Sequence, residues 1–544
     1  MRPVRLRLAT STWVAGSLLS LALAGCGEAR LAHELREQTA AGDLEKARKT
    51  ASELYSSNGD VLLAGMEQGM LANLQGDTTG SNQQFDKIAP IVDDLRSAQV
   101  VDAVLTSVYN DTASKYIGKP FEHTQIDYYR TLNYLIIGER AENRWQPTSM
   151  VVPLAKQPLP GAVTGPDIPF YAYQNALITA RRMTINQLKE TADAADGKRY
   201  DDDPFARVLT AIAVSCLDSQ QQTDSDRQLA AAMLKRAMLA YQRQFEALSV
   251  SGSKFRYEVA AQPALATTLY LRQLRTYDPD LFASEVAKRG LLADDPRFVP
   301  PAGYGTVVVL NHVGLIAQPR PLQIGIAAIG FSEKDSTSFN WGGITFYAKG
   351  PGSEIARDWI LLPIPGNVVQ QCLAPGGATV IGFEIPVHAP DTMLTSPASV
   401  TVGAVTGSGE VLCDLDAYAR STLKDAQPHV LLKTLLRVAV KQGAVAAGAY
   451  AAREQHNESS ELLAFGINLV GSALATATES ADLRAWLTLP DHVEGTLIDV
   501  PAGAYPVTVT TPDGVQNIGT VQVTPGRVTL VPVRTFPTRI FPAH

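Results

Sequence analysis

From Leu31 to about Leu248 apolar residues recur every three or four positions, and near Asp295 that rhythm gives way to short β-branched runs bounded by turn residues. This change of period constrains the fold more than any other feature. It predicts a multidomain α+β protein in which an α-helical domain precedes a β-rich one. At 544 residues the chain is long enough for two to four domains. An apolar fraction of 45% supplies packed cores and argues against a disordered chain.

In the helical half, Leu44, Ala47, Ala51 and Leu54 place one apolar stripe on one face. Phe85, Ile88, Val92 and Leu95 do the same, as do Phe205, Val208, Leu209, Ile212 and Cys216. Gly42-Asp43 is matched by Gly76-Asp77, 34 residues later, which is the period of tetratricopeptide repeats. Ala47 and Ser81, five positions after each glycine, are small enough for close helix approach. Gly138-Glu139-Arg140-Ala141 reads as a third, divergent turn. These signals predict a tetratricopeptide-like helical repeat domain over 26–275, with an irregular helical bundle as the alternative. Six prolines between Trp145 and Tyr171 exclude regular helix there and predict an extended surface loop. Asp201-Asp202-Asp203 before Pro204 is a helix-start signal.

The β-rich domain is expected over 300–414, with strands at Thr306–Leu310, Thr379–Ile385, Ser399–Val405 and Gly409–Leu412. A helical segment over 415–486 interrupts it. A small C-terminal β-sandwich over 487–544 is expected from strands at Thr496–Val500, Tyr505–Thr511, Gly519–Val523 and Val528–Val533, with a turn at Pro512-Asp513-Gly514. The Gly/Ala-rich stretch Leu462–Ala477 is too short and too interrupted to span a bilayer, and reads as a buried helix.

The first residues carry Arg2, Arg5 and Arg7, then an apolar stretch from Leu8 to Gly25 ending in small residues, as a secretory signal over 1–25 does. Leu23-Ala24-Gly25-Cys26 resembles the lipobox of bacterial lipoproteins. That resemblance implies cleavage after Gly25, with Leu23, Ala24 and Gly25 recognised by the signal peptidase, and lipidation of Cys26. An ordinary signal peptide that happens to contain a cysteine, or a buried apolar helix, is the alternative. Several acyl chains together anchor stably where one is marginal. Gly27 follows the cysteine in place of an aspartate retention signal, which favours the periplasmic face of the outer membrane. The formal net charge of −7 becomes more acidic once the leader's arginines are removed, so nucleic acid is a poor partner.

Of the four cysteines, Cys216 lies on a helical apolar stripe and reads as a buried, inert thiol. Cys372 and Cys413 fall in the β-rich half, and the sequence leaves open whether they pair. No helix-borne zinc pair, nucleophile elbow, phosphate loop or dinucleotide fingerprint is present. Neither a cofactor, a metal nor an enzymatic activity is therefore expected. Asn311-His312 at a strand end is the one place that suggests acid–base chemistry, although a lone histidine is more often structural.

Tyr116-x-Gly118-x-Pro120-Phe121-Glu122, Tyr129-x-x-Leu132-Asn133-Tyr134-Leu135 and Ala180-Arg181-Arg182 resemble a family of uncharacterised bacterial envelope lipoproteins with tetratricopeptide-like helices. Leu435–Lys441 and Thr478–Pro490, the latter containing Asp482-Leu483-Arg484-Ala485-Trp486, extend the resemblance. It departs at the proline-rich stretch after Trp145. The resemblance implies location and architecture and carries no activity; within it Trp486 reads as a core aromatic, and Asp482 with Arg484 as a helix-terminal charge pair. The expectation is a lipid-anchored envelope scaffold that binds an unidentified envelope protein. A regulator of cell-wall synthesis and a hydrolase with a dispersed site are the alternatives.

Overall fold

A computed structural model describes residues 27–56, 60–98, 116–148, 168–193, 202–218, 222–248, 257–325, 337–341, 344–349, 382–388, 397–426, 481–512, 514–536 and 539–542. The architecture is mixed α+β. Helices α1 (27–41), α2 (Leu44–Ser56), α3 (Val61–Leu74), α4 (Thr78–Ala98), α5 (Pro120–Ala141), α6 (Ile168–Asp193), α7 (Pro204–Cys216), α8 (Asp224–Leu248), α9 (Ala264–Tyr277) and α10 (Pro279–Lys288) follow in order. From α2 onward each helix packs on its neighbours in the chain.

The matched glycines build matched turns. Gly42, at φ +77°, donates its N–H to Thr39 O (3.1 Å), and Asp43 N–H reaches Gln38 O (2.8 Å). Gly76, at φ +80°, repeats this with Asn73 O and Ala72 O, both at 2.9 Å. Both are Schellman caps, which need a residue that tolerates left-handed backbone. Ala47 and Ser81 are fully buried as the spacing predicts. The third turn expected at Gly138 is not there. Gly138 lies inside α5, where an added Cβ would sit 2.8 Å from the Tyr173 ring. The third cap comes later, at Asn143 (φ +55°), with N–H bonds from Asn143 to Arg140 O and from Arg144 to Glu139 O. At α7 the acidic run behaves as expected: Asp203 accepts from Phe205 N–H at 2.9 Å, with Pro204 as the first helical residue.

The strands are β1 (Trp145–Pro147), β2 (Tyr304–Val313), β3 (Pro319–Gly325), β4 (Thr337–Trp341), β5 (Ile344–Lys349), β6 (Gly382–His388), β7 (Ser399–Val402), β8 (Val405–Ser408), β9 (Glu410–Asp414), β10 (His492–Pro501), β11 (Gly503–Thr511), β12 (Gly514–Val523), β13 (Val528–Phe536) and β14 (Arg539–Pro542). They form an inner sheet, β14-β13-β2-β10-β9, an outer sheet, β1-β12-β11-β7-β8, and a small sheet, β4-β5-β3-β6. Helix α11 (415–426) follows β9 directly.

The inner sheet is buried on both faces. Along β2, Val307 and Val309 face the outer sheet, while Val308 and Leu310 join the helical core; β13 divides likewise, with Val531 and Val533 one way and Val528 and Leu530 the other. This period-two split gives three layers, helices on the inner sheet and the inner sheet on the outer sheet. Trp145, on the strand inserted between α5 and α6, is buried in the inter-sheet core.

The expected domain boundaries are therefore corrected. Residues 487–544 do not form a separate sandwich, because β10 pairs with β2 and β9, β13 with β2, and β11 with β7. A strand as apolar as Thr306–Leu310 needs hydrogen-bonded partners on both sides, and the C-terminal strands provide them. The extended loop expected from Trp145 begins as strand β1, paired to β12; residues 149–167 lie outside the described residues. Ser399–Val405 is a hairpin of β7 and β8 with Gly403 at its turn (φ +61°). Of the helical segment expected over 415–486, residues 427–480 lie outside the described residues, and 481–486 are not helical.

Ending the chain after residue 486 should remove β structure well beyond the deleted residues, because β2 loses both neighbours. Circular dichroism and solubility of the truncated chain check this; a soluble product that keeps the β content of 300–414 would contradict the interleaved topology.

Candidate functional site

Residues 481–491 run without regular secondary structure, yet 485–490 are buried throughout. They cross the side of the helical stack built by α3, α4 and α5 and enter β10. A buried backbone outside any ladder must still satisfy its N–H and C=O groups. Here carboxylates from the helices do so. Trp486 N–H donates to Glu122 Oε1 at 3.0 Å, and Leu487 N–H donates to Glu67 Oε1 at 2.6 Å. Thr488 Oγ1 donates to Glu67 Oε2 at 2.5 Å and accepts from the Trp486 indole N–H at 3.2 Å.

The carbonyl side is held by cations. Arg36 on α1 donates to Ile316 O (2.5 Å) and Leu487 O (3.3 Å), and Arg534 on β13 donates to Gly314 O (2.6 Å) and Thr488 O (3.0 Å). The Trp486 ring, fully buried, lies 5.9 Å from the Phe85 ring centroid and 6.4 Å from that of Tyr129. Upstream, Arg484 pairs with Asp60 at 3.1 Å and with Asp482 at 2.8 Å, and its guanidinium lies over the Tyr116 ring. Tyr116 OH donates to Glu122 Oε2 at 2.6 Å, and Lys119 N–H shares the same oxygen at 2.8 Å.

Several of the residues that carry the family resemblance thus meet in one place. Tyr116, Glu122 and Tyr129 line the groove, and Asp482, Arg484 and Trp486 fill it. Asn133 lies deeper, joined to Asn73, Ser81 and Asn82. Trp486 is the core aromatic expected. The Asp482–Arg484 pair forms, but on an extended segment and not at a helix end. Arg181 and Arg182 pair elsewhere, with Asp226 and Asp93, and Leu435–Lys441 lie outside the described residues.

Burial shifts the titration of these groups. Glu67 is raised from 4.5 to about 7, chiefly by burial, while its bonds from Thr488 and Leu487 pull the other way. Arg534 is lowered to about 10 by burial. Arg484 is held above its ordinary value: burial opposes its charge, and Asp482 and Asp60 more than offset that. His312, the residue that suggested acid–base chemistry, is lowered to about 3, first by burial and then by the nearby Arg534. Its Nδ1 lies 3.0 Å from Val533 O and its Nε2 2.7 Å from Tyr128 OH. A neutral imidazole donating to the carbonyl and accepting from the phenol satisfies both contacts. His312 is therefore a strut between α5 and the inner sheet. Asn311 instead ties β2 to β10 within the inner sheet, donating to Glu494 Oε2 at 2.9 Å.

Leu23, Ala24, Gly25 and Cys26 lie outside the described residues, and so does Cys372. Cys413 is a buried free thiol with its Sγ 3.8 Å from Asp203 Oδ2, and burial pushes its pKa well up. Cys216 is buried and free, its pKa likewise raised by burial. Among the described residues no group of three or more His, Cys, Asp or Glu side chains is placed to hold a metal ion, and no helix is long and apolar enough to cross a membrane.

Sequence reasoning missed Glu67 and Asp60. A signal existed for Glu67: it stands in Val-Leu-Leu-Ala-Gly-Met-Glu-Gln-Gly-Met-Leu-Ala-Asn-Leu, a helix apolar nearly all round and therefore buried. A carboxylate in such a helix needs a partner inside the protein. Comparison with protein-family models, with curated proteins and with solved structures finds no match for the chain.

Because its folded-state value lies above the ordinary one, Glu67 contributes stability that is complete below about pH 4.5 and lost as pH rises through 7. His312 works in the opposite sense, its contribution present above 6.5 and lost as pH falls toward 3. Comparing wild type with Glu67→Gln isolates the first effect. In urea unfolding, wild type should gain on the variant as pH is lowered from about 8 to about 5; a pH-independent difference would contradict the assignment.

Proposed function

We propose that the chain is a lipid-anchored envelope protein that works by contact with other proteins. The observation that carries this reading is the leader ending in Leu23-Ala24-Gly25-Cys26, followed at residue 27 by a folded body. Gly27 at the position after the cysteine supports the outer membrane, and the resemblance to envelope lipoproteins agrees with that location.

The helical half is read as a tetratricopeptide-like array, supported by the matched caps at Gly42 and Gly76 and by neighbour-on-neighbour packing. Such arrays commonly bind peptides in their groove. In this chain the groove near α3–α5 is filled by the protein's own residues 481–491, so external contacts fall to other faces. On α6, Tyr171, Ile178, Ile185 and Leu188 are exposed among the described residues, on a side that is ordinarily polar. His312, the feature that favoured a hydrolase, is enclosed and hydrogen-bonded at both ring nitrogens, which supports contact over catalysis.

Replacing Cys26 by Ser should move the protein from the membrane to the soluble fraction and abolish metabolic labelling with a fatty acid. In intact cells the wild type should give discrete crosslinked adducts that C26S loses. Unchanged fractionation would overturn the anchor, and a wild type without adducts would overturn the contact role.

A further inference from the structure

The anchor, if it is Cys26, leaves no tether. Helix α1 is already formed at residue 27, directly after the cysteine, and is built into the fold by its second turn: Ala32 and Leu35 are buried, and Leu31 packs on the same core. Arg36 then fastens the helix to Ile316 O and Leu487 O, and Gln38 Oε1 accepts from Thr50 on α2 at 2.8 Å. Between residue 27 and the buried Ala32 the chain advances by five residues of helix, about 7.5 Å at 1.5 Å per residue. A flexible tether would add 3.3–3.6 Å for each extended residue, and none is present to do so.

We propose that the body docks directly on the phospholipid headgroup layer, with the first turns of α1 at headgroup level. This rests on the lipid-anchor reading above. The occupant of that face is a lipid surface because the acyl chains on Cys26 enter the bilayer one residue away from the rigid helix. Beside it Arg30 pairs with Glu34 at 2.5 Å, and His33 Nε2 lies 3.2 Å from Glu37 Oε1. Held this way, the body meets its protein partners close to the membrane surface.

The test uses the full mature chain, acylated and inserted in phosphatidylcholine vesicles that contain a lipid with a nitroxide headgroup. A fluorophore is placed by His33→Cys in a Cys372→Ser background; Cys216 and Cys413 are fully buried and stay unlabelled. The comparison protein carries a flexible Gly/Ser linker of about twenty residues after Gly27, reaching roughly 25 Å. Quenching should be several-fold stronger without the linker. Equal quenching of two vesicle-bound proteins would overturn direct docking while leaving the anchor in place. A mature chain found without acyl groups would overturn the anchor and the docking together.

Discussion

Two backbone N–H groups, those of Trp486 and Leu487, set the terms for much of this structure. They sit in a buried segment that belongs to no helix or sheet, and an unpaired buried N–H costs of the order of 1–3 kcal/mol. Glu122 and Glu67 meet them. Bringing those carboxylates to the same strip requires α3 and α5, each packed on α4, to present them to the one segment. Burying Glu67 in turn requires donors on both its oxygens, which Leu487 and Thr488 supply. The segment and the groove thus satisfy each other, and neither is complete alone.

The same logic recurs where the helices meet the inner sheet. His312 joins Tyr128 on α5 to the Val533 carbonyl on β13, and Arg144, after α5, donates to Thr529 Oγ1 on β13 at 2.8 Å. Arg272 on α9 pairs with Asp499 on β10 at 2.6 Å. Polar side chains at this junction fix which helix faces which strand, while Val308, Leu310 and Leu530 provide the area that drives the association. Such groups are costly if half satisfied, so the junction admits one register and little sliding.

Much of this organisation was legible in the sequence. The helical stripes, the caps at Gly42 and Gly76, the start of α7 at Pro204 and the core strand of β2 all follow from local periodicity and turn chemistry. Strand order was not legible, because a run such as Val528–Val533 announces a buried strand without naming its neighbours. Residues 481–486 read locally as helix because Ala, Leu and Arg favour it; the carboxylates of Glu67 and Glu122, hundreds of residues away, take the N–H groups of Trp486 and Leu487 and prevail. Along the sequence Tyr116 and Glu122 stand in one patch, and Arg484 and Trp486 in another. Their meeting in one groove is a tertiary fact that no local pattern states.

The central claim is that residues 481–491 belong to the cooperative core that joins helices to sheet. Amide hydrogen exchange at Trp486 and Leu487 tests it most directly. Their protection should match that of Val308 and Leu310 in the middle of β2, so that exchange needs global unfolding. Exchange at these two amides orders of magnitude faster than in β2 would show a segment that detaches on its own, and would contradict the account.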